Sequence, residues 1–315
     1  MSRDVPTLVA GAREGRTRDI ARLISLIEDG SPEVPALMRV LASTSGRASV
    51  IGITGSPGVG KSTTTAALIT AMRARGQRVG VLAVDPSSPF SGGALLGDRI
   101  RMQKHATDEG VFIRSMASRG HLGGLAATTP QALRVLDAAG FDVVLIETVG
   151  VGQSEIEVAA AADTTLVLLA PGMGDGIQAA KAGILEIGDV FVVNKADRDG
   201  SDSTMRELRN MIALGVRGPD AWSPPVVKTV ASTGEGIDRL VSAIDDHRTW
   251  LMASGELEVR RVRRARDEVE ALALALLRRR LEADTGSQRL LAAAEDVAAG
   301  RTDAHTAAAR LVEDA

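Results

Sequence analysis

Gly55-Ser56-Pro57-Gly58-Val59-Gly60-Lys61-Ser62-Thr63 fits the pattern G-x-x-x-x-G-K-[ST]. Glycines in such a loop let consecutive backbone N–H groups turn inward around phosphates. The N-terminus of a following helix adds partial positive charge. Lys61 would then reach the β- and γ-phosphates, and Ser62 would bind Mg²⁺. The bland alternative is a glycine-rich turn with no ligand. The context opposes it: an apolar run, Val50–Thr54, precedes the loop, and a helical pattern runs from Lys61 to about Arg75.

About 130 residues later stands Asn194-Lys195-Ala196-Asp197. An Asp carboxylate can accept two hydrogen bonds from guanine, from N1–H and the exocyclic amine. Adenine offers neither donor there, so the carboxylate would go unpaired. Asp197 is the residue for that role, Asn194 would brace the loop, and the Lys195 stem would cover the base face. Ala231 and Ser232 follow the next apolar run, where a backbone N–H can meet guanine O6. The two blocks together predict GTP and GDP as ligands.

Two acids complete the pattern. Asp85 ends the run Val79–Val84, and Glu147 ends the run Val143–Ile146. Carboxyl ends of parallel strands are where such sheets bind ligands. Mg²⁺ takes few carboxylates beside waters and phosphate oxygens. Asp98, in a glycine-rich stretch, is a third acidic candidate. Each acid alone could equally be a cap or a solvated strand end; the phosphate loop shifts the balance. Glu147-Thr148-Val149-Gly150 resembles a D-x-x-G switch with Glu for Asp, and Gly150 would set an N–H beside the γ-phosphate. The position after that glycine often holds a water-orienting Gln. Here it is Val151, and Gln153 is the nearest substitute. Slow unaided hydrolysis is the expectation.

These residues need a scaffold. Between 46 and 245, short β-branched runs alternate with helical patterns, adding Leu166–Leu169, Val190–Val193, Val226–Val230 and a weaker Val111–Ile113. Runs this apolar are strands buried on both faces, so the expected fold class is α/β with a mainly parallel sheet. Residues 1–45 read as a helical extension, with Pro32 suited to start a second helix. Residues 246–315 show no strand signal. A long helix is expected from Glu256 to Ala283, ended by Gly286, with a second from Ser287. Its stripe Val259, Val262, Val269, Leu272, Leu276 and Leu281 is core or dimer seam.

Composition removes several function classes. Cysteine is absent, which excludes disulfides, thiolate metal sites and thiol catalysis in cis. The four histidines lack metal-ligand spacing and read as surface or structural. A net charge of −3 gives no general pull toward nucleic acid or anionic membrane. Five arginines between Arg260 and Arg266 are matched by nearby acids and read as a solvated helix face. No apolar run spans a bilayer and no signal pattern opens the chain, so a cytoplasmic location is the default expectation.

With these blocks placed, the chain resembles the MeaB-like (ArgK-type) GTPases, the methylmalonyl-CoA mutase-associated family. The resemblance rests on Gly55–Thr63, on Ala83 to Pro89, on Gly92 to Met102, on Glu147 to Ser154 and on Asn194–Asp197. It implies a P-loop G domain of the SIMIBI type with helical extensions, and a homodimer built on the C-terminal arm. It also implies a chaperone role for methylmalonyl-CoA mutase, in which the GTPase gates loading of adenosylcobalamin. Asp85, Asp98 and Glu147 match the acids around Mg²⁺. The segment Pro171 to Lys181 matches an additional switch loop, with Asp175, Gln178 and Lys181 at its polar positions. Lys61, Glu147, Gln153 and Lys181 are thus the catalytic candidates. Gly176 and Ala182 depart from the family's usual Glu and Lys, which touches the coupling contacts and not nucleotide binding. Two rivals remain: a metal-delivery GTPase, against which the lack of Cys and clustered His argues, and a kinase, for which no acceptor pocket is marked.

Overall fold

The structure is a computed structural model. It describes residues 4–42, 47–86, 103–105, 107–118, 124–148, 154–172, 185–215, 218 and 220–313. Its centre is a seven-stranded sheet: β1 (Ser49–Thr54), β2 (Val79–Pro86), β3 (Val111–Ser118), β4 (Val143–Thr148), β5 (Thr164–Leu169), β6 (Val190–Asn194) and β7 (Val226–Thr229). The order is β3-β2-β4-β1-β5-β6-β7, and every neighbouring pair is parallel. The weak Val111–Ile113 signal proves to be a full edge strand. Beyond Ile113 its sequence turns polar with Arg114 and Ser115, which hid it.

Parallel strands need crossover helices, and these cover both faces. Helices α4 (Lys61–Ala74) and α8 (Ile237–Ser254) pack one face through Leu68, Ile69, Leu240 and Ile244, meeting Ile51, Ile53, Val79 and Val81. The other face takes α1 (Val5–Arg13), α2 (Thr17–Glu28), α3 (Val34–Leu41), α5 (Gly124–Ala138), α6 (Ser154–Ala161) and α7 (Ser201–Leu214). There Val50, Leu82 and Val84 point the opposite way to Ile51 and Val81, as a period of two requires. With aromatics at 2% of the chain, aliphatic side chains fill nearly all of this core. Helix α3 starts at Val34 with Pro35 in its first turn, so Pro35 takes the initiating role assigned to Pro32.

The strandless region forms α9 (Glu256–Glu282), α10 (Asp284–Ala298) and α11 (Ala304–Glu313). The break after α9 falls at Ala283, which is extended at φ −63°, ψ 154°. Gly286 lies inside α10 and does not end α9. Helix α8 runs through residue 245 to Ser254, and Gly255, at φ 77°, turns the chain into α9.

The arginine-rich stretch of α9 is a solvated face only in part: Arg263 and Arg266 are exposed, but Arg260, Arg261 and Arg264 turn to the domain. Arg260 donates both Nη groups to the Asp189 carboxylate at 2.9 Å each, and reaches the Asp163 carbonyl at 3.0 Å. Arg264 pairs with Asp163, and Arg261 lies 3.6 Å from the same carboxylate. Arg134 on α5 forks onto buried Glu268 of α9. Asp163 and Asp189 also accept the backbone N–H of Val50 and Thr165, so they secure the amino ends of β1 and β5. Three arginines therefore staple the arm to the sheet edge opposite the carboxyl ends.

His247 of α8 lies in the same region, fully buried, with Nδ1 2.8 Å from Thr164 Oγ1. Its Nε2 is 3.3 Å from Asp189 Oδ1, outside hydrogen-bonding alignment. Trp222 and Trp250 flank the ring. Burial holds the imidazole pKa down at about 4, against the pull of Asp189.

Candidate functional site

Gly55 and Gly60 bound the phosphate-loop candidate, and both positions demand glycine. Gly55 has φ 137°, and a Cβ there would meet the Leu168 carbonyl at 2.3 Å. Gly60 has φ 98°, and a Cβ would meet Asn194 Nδ2 at 2.4 Å. The first closeness seats the loop on β5; the second seats it on the Asn194 loop. Helix α4 then starts at Lys61 with no side chain capping its first turn, which leaves amide dipoles directed at the cradle. Lys61 Nζ folds back onto the Gly55 and Ser56 carbonyls at 2.6 and 3.1 Å. Ser56 and Pro57 lie on the open side of the loop, and Val59 is buried beneath it.

Asn194 joins the two blocks. Its Nδ2 donates to the Val59 carbonyl at 2.8 Å. Its Oδ1 accepts from Thr229 Oγ1 and from the Ala231 N–H, both at 3.1 Å. Lys195 Nζ donates to the Gly58 carbonyl at 2.6 Å. Lys195 sits at φ 56°, the positive-φ non-glycine residue among those described. A left-handed non-glycine residue costs of order 1–3 kcal/mol and is held by its surroundings. Here they are the hydrogen bonds of Asn194 and the Ala196 N–H to Thr229 carbonyl bond at 3.0 Å. Asp197 and Ser232 are exposed at the rim and Ala231 is buried. The bracing role expected of Asn194 is the geometry found, and Thr229 is a partner that sequence reading missed.

Glu147 is the penultimate residue of β4, in register with Ile53 of β1 and Ala83 of β2. It is 2% exposed, and its two oxygens divide between two hydroxyls of α4: Ser62 Oγ at 2.5 Å and Thr65 Oγ1 at 2.7 Å. The backbone of Asp85 lies next to the end of β2, opposite Ala117. The Asp85 side chain lies outside the described residues, as do Asp98, Gly150, Gln153, Asp175, Gln178 and Lys181. Thr63 is exposed on the first turn of α4.

The donors gathered here are a hydroxyl and a carboxylate beside an amide-lined cradle. That is an oxygen-only set suited to a hard cation sharing phosphate oxygens. Among the described residues no group of three or more His, Asp or Glu side chains could hold a metal alone.

The family described as “Methylmalonyl Co-A mutase-associated GTPase MeaB” matches residues 20–286. A Pyrococcus abyssi protein with GTPase in its name is 47% identical over 89% of this chain and 87% of its own. The Escherichia coli protein “GTPase ArgK” is 41% identical over 78% of this chain and 76% of its own. Among solved structures, “LAO/AO transport system kinase” covers 99% of this chain and 98% of its own, with TM-score 0.74 and 27% identity. A phosphate loop braced by an N-K-x-D loop on a parallel sheet, in a chain this similar to named GTPases, leaves one assignment: the chain belongs to the MeaB family, and it binds and hydrolyses GTP.

Proposed function

We propose that this GTPase regulates methylmalonyl-CoA mutase, gating the loading of adenosylcobalamin and protecting the loaded enzyme. The observation that carries the reading is the match of residues 20–286 to a family defined by its association with that mutase. Guanine selection is assigned to Asp197, phosphate binding to Gly55–Thr63 and the α4 N-terminus, and loop bracing to Asn194. Mg²⁺ is assigned to Ser62, Asp85, Asp98 and Glu147; bound there it would neutralise charge on the β- and γ-phosphates. Val151 in the usual Gln position supports slow hydrolysis without a partner. Gly150, Gln153 and the segment Asp175–Lys181 are assigned to reporting nucleotide state and to catalysis.

The arm is assigned to homodimer formation in a cytoplasmic protein. Val259, Val262, Val269 and Leu276 are each half or more exposed, an apolar row on α9 with no cover in the monomer. Among the described residues no helix is long and apolar enough to cross a membrane. The reading divides the chain into a helical extension at 1–45, a G domain at 46–245 and a dimerisation arm at 246–315. The test is a pull-down from source cytosol on the immobilised chain, with GDP and with a non-hydrolysable GTP analogue. A cobalamin-dependent mutase is expected in one state more than the other. Its absence from both would remove the mutase reading and leave the GTPase.

A further inference from the structure

Thr65 lies one helical turn beyond Ser62 on α4 and is fully buried. Its Oγ1 is 2.7 Å from Glu147 Oε2 and 3.1 Å from the carbonyl of Lys61, four residues back. A threonine hydroxyl has one proton, and an ionised carboxylate only accepts. The shorter, charge-assisted bond to Glu147 therefore takes that proton. Ser62 Oγ donates to the other oxygen, Oε1, at 2.5 Å. Two points of attachment, three residues apart on one helix face, fix both the position and the plane of the carboxylate. Removing the Thr65 attachment loosens the hold on the carboxylate plane, whose last torsion is soft for a glutamate.

We propose that Thr65 is a positioning residue for the metal side of the nucleotide site: its hydroxyl fixes Glu147 so that the carboxylate stays set against Ser62. The inference rests on the assignment of Ser62 and Glu147 to Mg²⁺. Loss of the hydroxyl takes a charge-assisted donor from a buried carboxylate oxygen, which lets the carboxylate shift from its place against Ser62. That shift spoils the geometry of the Ser62 side chain while leaving the loop backbone that cradles the phosphates in place. Metal dependence should therefore change while metal-free nucleotide binding does not.

The experiment follows release of a fluorescent GDP analogue from the full chain as Mg²⁺ is titrated, for the wild type, Thr65→Val, Thr65→Ala, Thr65→Ser and Glu147→Gln. Affinity is also measured in EDTA, and thermal unfolding checks that each variant folds. Thr65→Val and Thr65→Ala should raise the half-saturating Mg²⁺ concentration about tenfold, the scale of one lost charge-assisted hydrogen bond. Affinity in EDTA should stay within about twofold, and Thr65→Ser, which keeps the donor, should match the wild type. A midpoint unmoved in both Val and Ala variants while Glu147→Gln moves it would overturn the proposal. So would a serine variant as impaired as the valine one. If Glu147→Gln leaves the midpoint unchanged, the assignment of Glu147 to the metal fails first, and the role of Thr65 falls with it.

Discussion

Single side chains in this protein carry tasks that differ in kind. Asn194 is buried and makes three hydrogen bonds, two of them to backbone groups in separate loops. Asn194→Ala would leave the Ala231 N–H and Val59 carbonyl without that partner. A loss of about 3 kcal/mol is expected in urea unfolding, together with weaker GDP binding. Asp197 is exposed, and among the described residues it is tied to no partner that substitution would strand. Asp197→Asn should leave stability unchanged and move preference from guanine toward xanthine nucleotides by on the order of 100-fold, because an amide N–H can meet the xanthine C2 oxygen. Competition between GTP and XTP for the same chain reads this directly. Sequence reading reached both residues, since their motif sits at a strand end. It did not reach Thr65, whose partner lies 82 positions away and whose hydroxyl reads as an ordinary helix threonine.

At the scale of elements, the staple between α9 and the sheet makes the next prediction. Asp189 is nearly buried and takes both Arg260 nitrogens. Arg260→Ala should cost about 3 kcal/mol, since a buried carboxylate loses its countercharge; chemical denaturation measures it. His247 adds a pH dependence. Its folded pKa of about 4 lies below the unfolded value of about 6.5, so the unfolded chain takes up a proton first. Stability is complete above pH 6.5 and falls as the pH drops toward 4, by about 3 kcal/mol in all. His105, whose pKa burial also lowers, acts in the same direction. His247→Phe should flatten the slope of unfolding free energy over that range, and a slope equal to wild type would contradict the assignment. Strands and crossover helices were legible because burial on both faces writes uninterrupted β-branched runs. The staple was not. Arginines among acids on one helix look alike in sequence whether water or a distant Asp163 receives them. The α9–α10 break was misplaced for a related reason: glycine is a general stop signal, and here a single extended alanine breaks the helix instead.

The whole molecule presents a G domain with an apolar row left on its arm. If that row is a dimer seam, Val262→Glu with Leu276→Glu should give a monomer in sedimentation velocity while GTP hydrolysis without a partner stays near wild type. Both residues are exposed in the monomer, so folding should be spared. A dimer that survives both charges would place the seam elsewhere. Composition pointed to this surface without deciding it, since a Val and Leu stripe at helical spacing serves core and seam equally.

Strand β6 is only five residues long, yet it is held at both ends. Asp189, just before it, is gripped by Arg260; Asn194, its last residue, is tied to the phosphate loop and to Ala231. Its span of about 16 Å joins the arm to the Asn194 loop through a strand buried along its whole length. Such a segment has no low-energy way to open at one end alone. In hydrogen–deuterium exchange its amides should be among the last to label, on the timescale of global unfolding, so that the link between arm and nucleotide is broken only when the domain itself is.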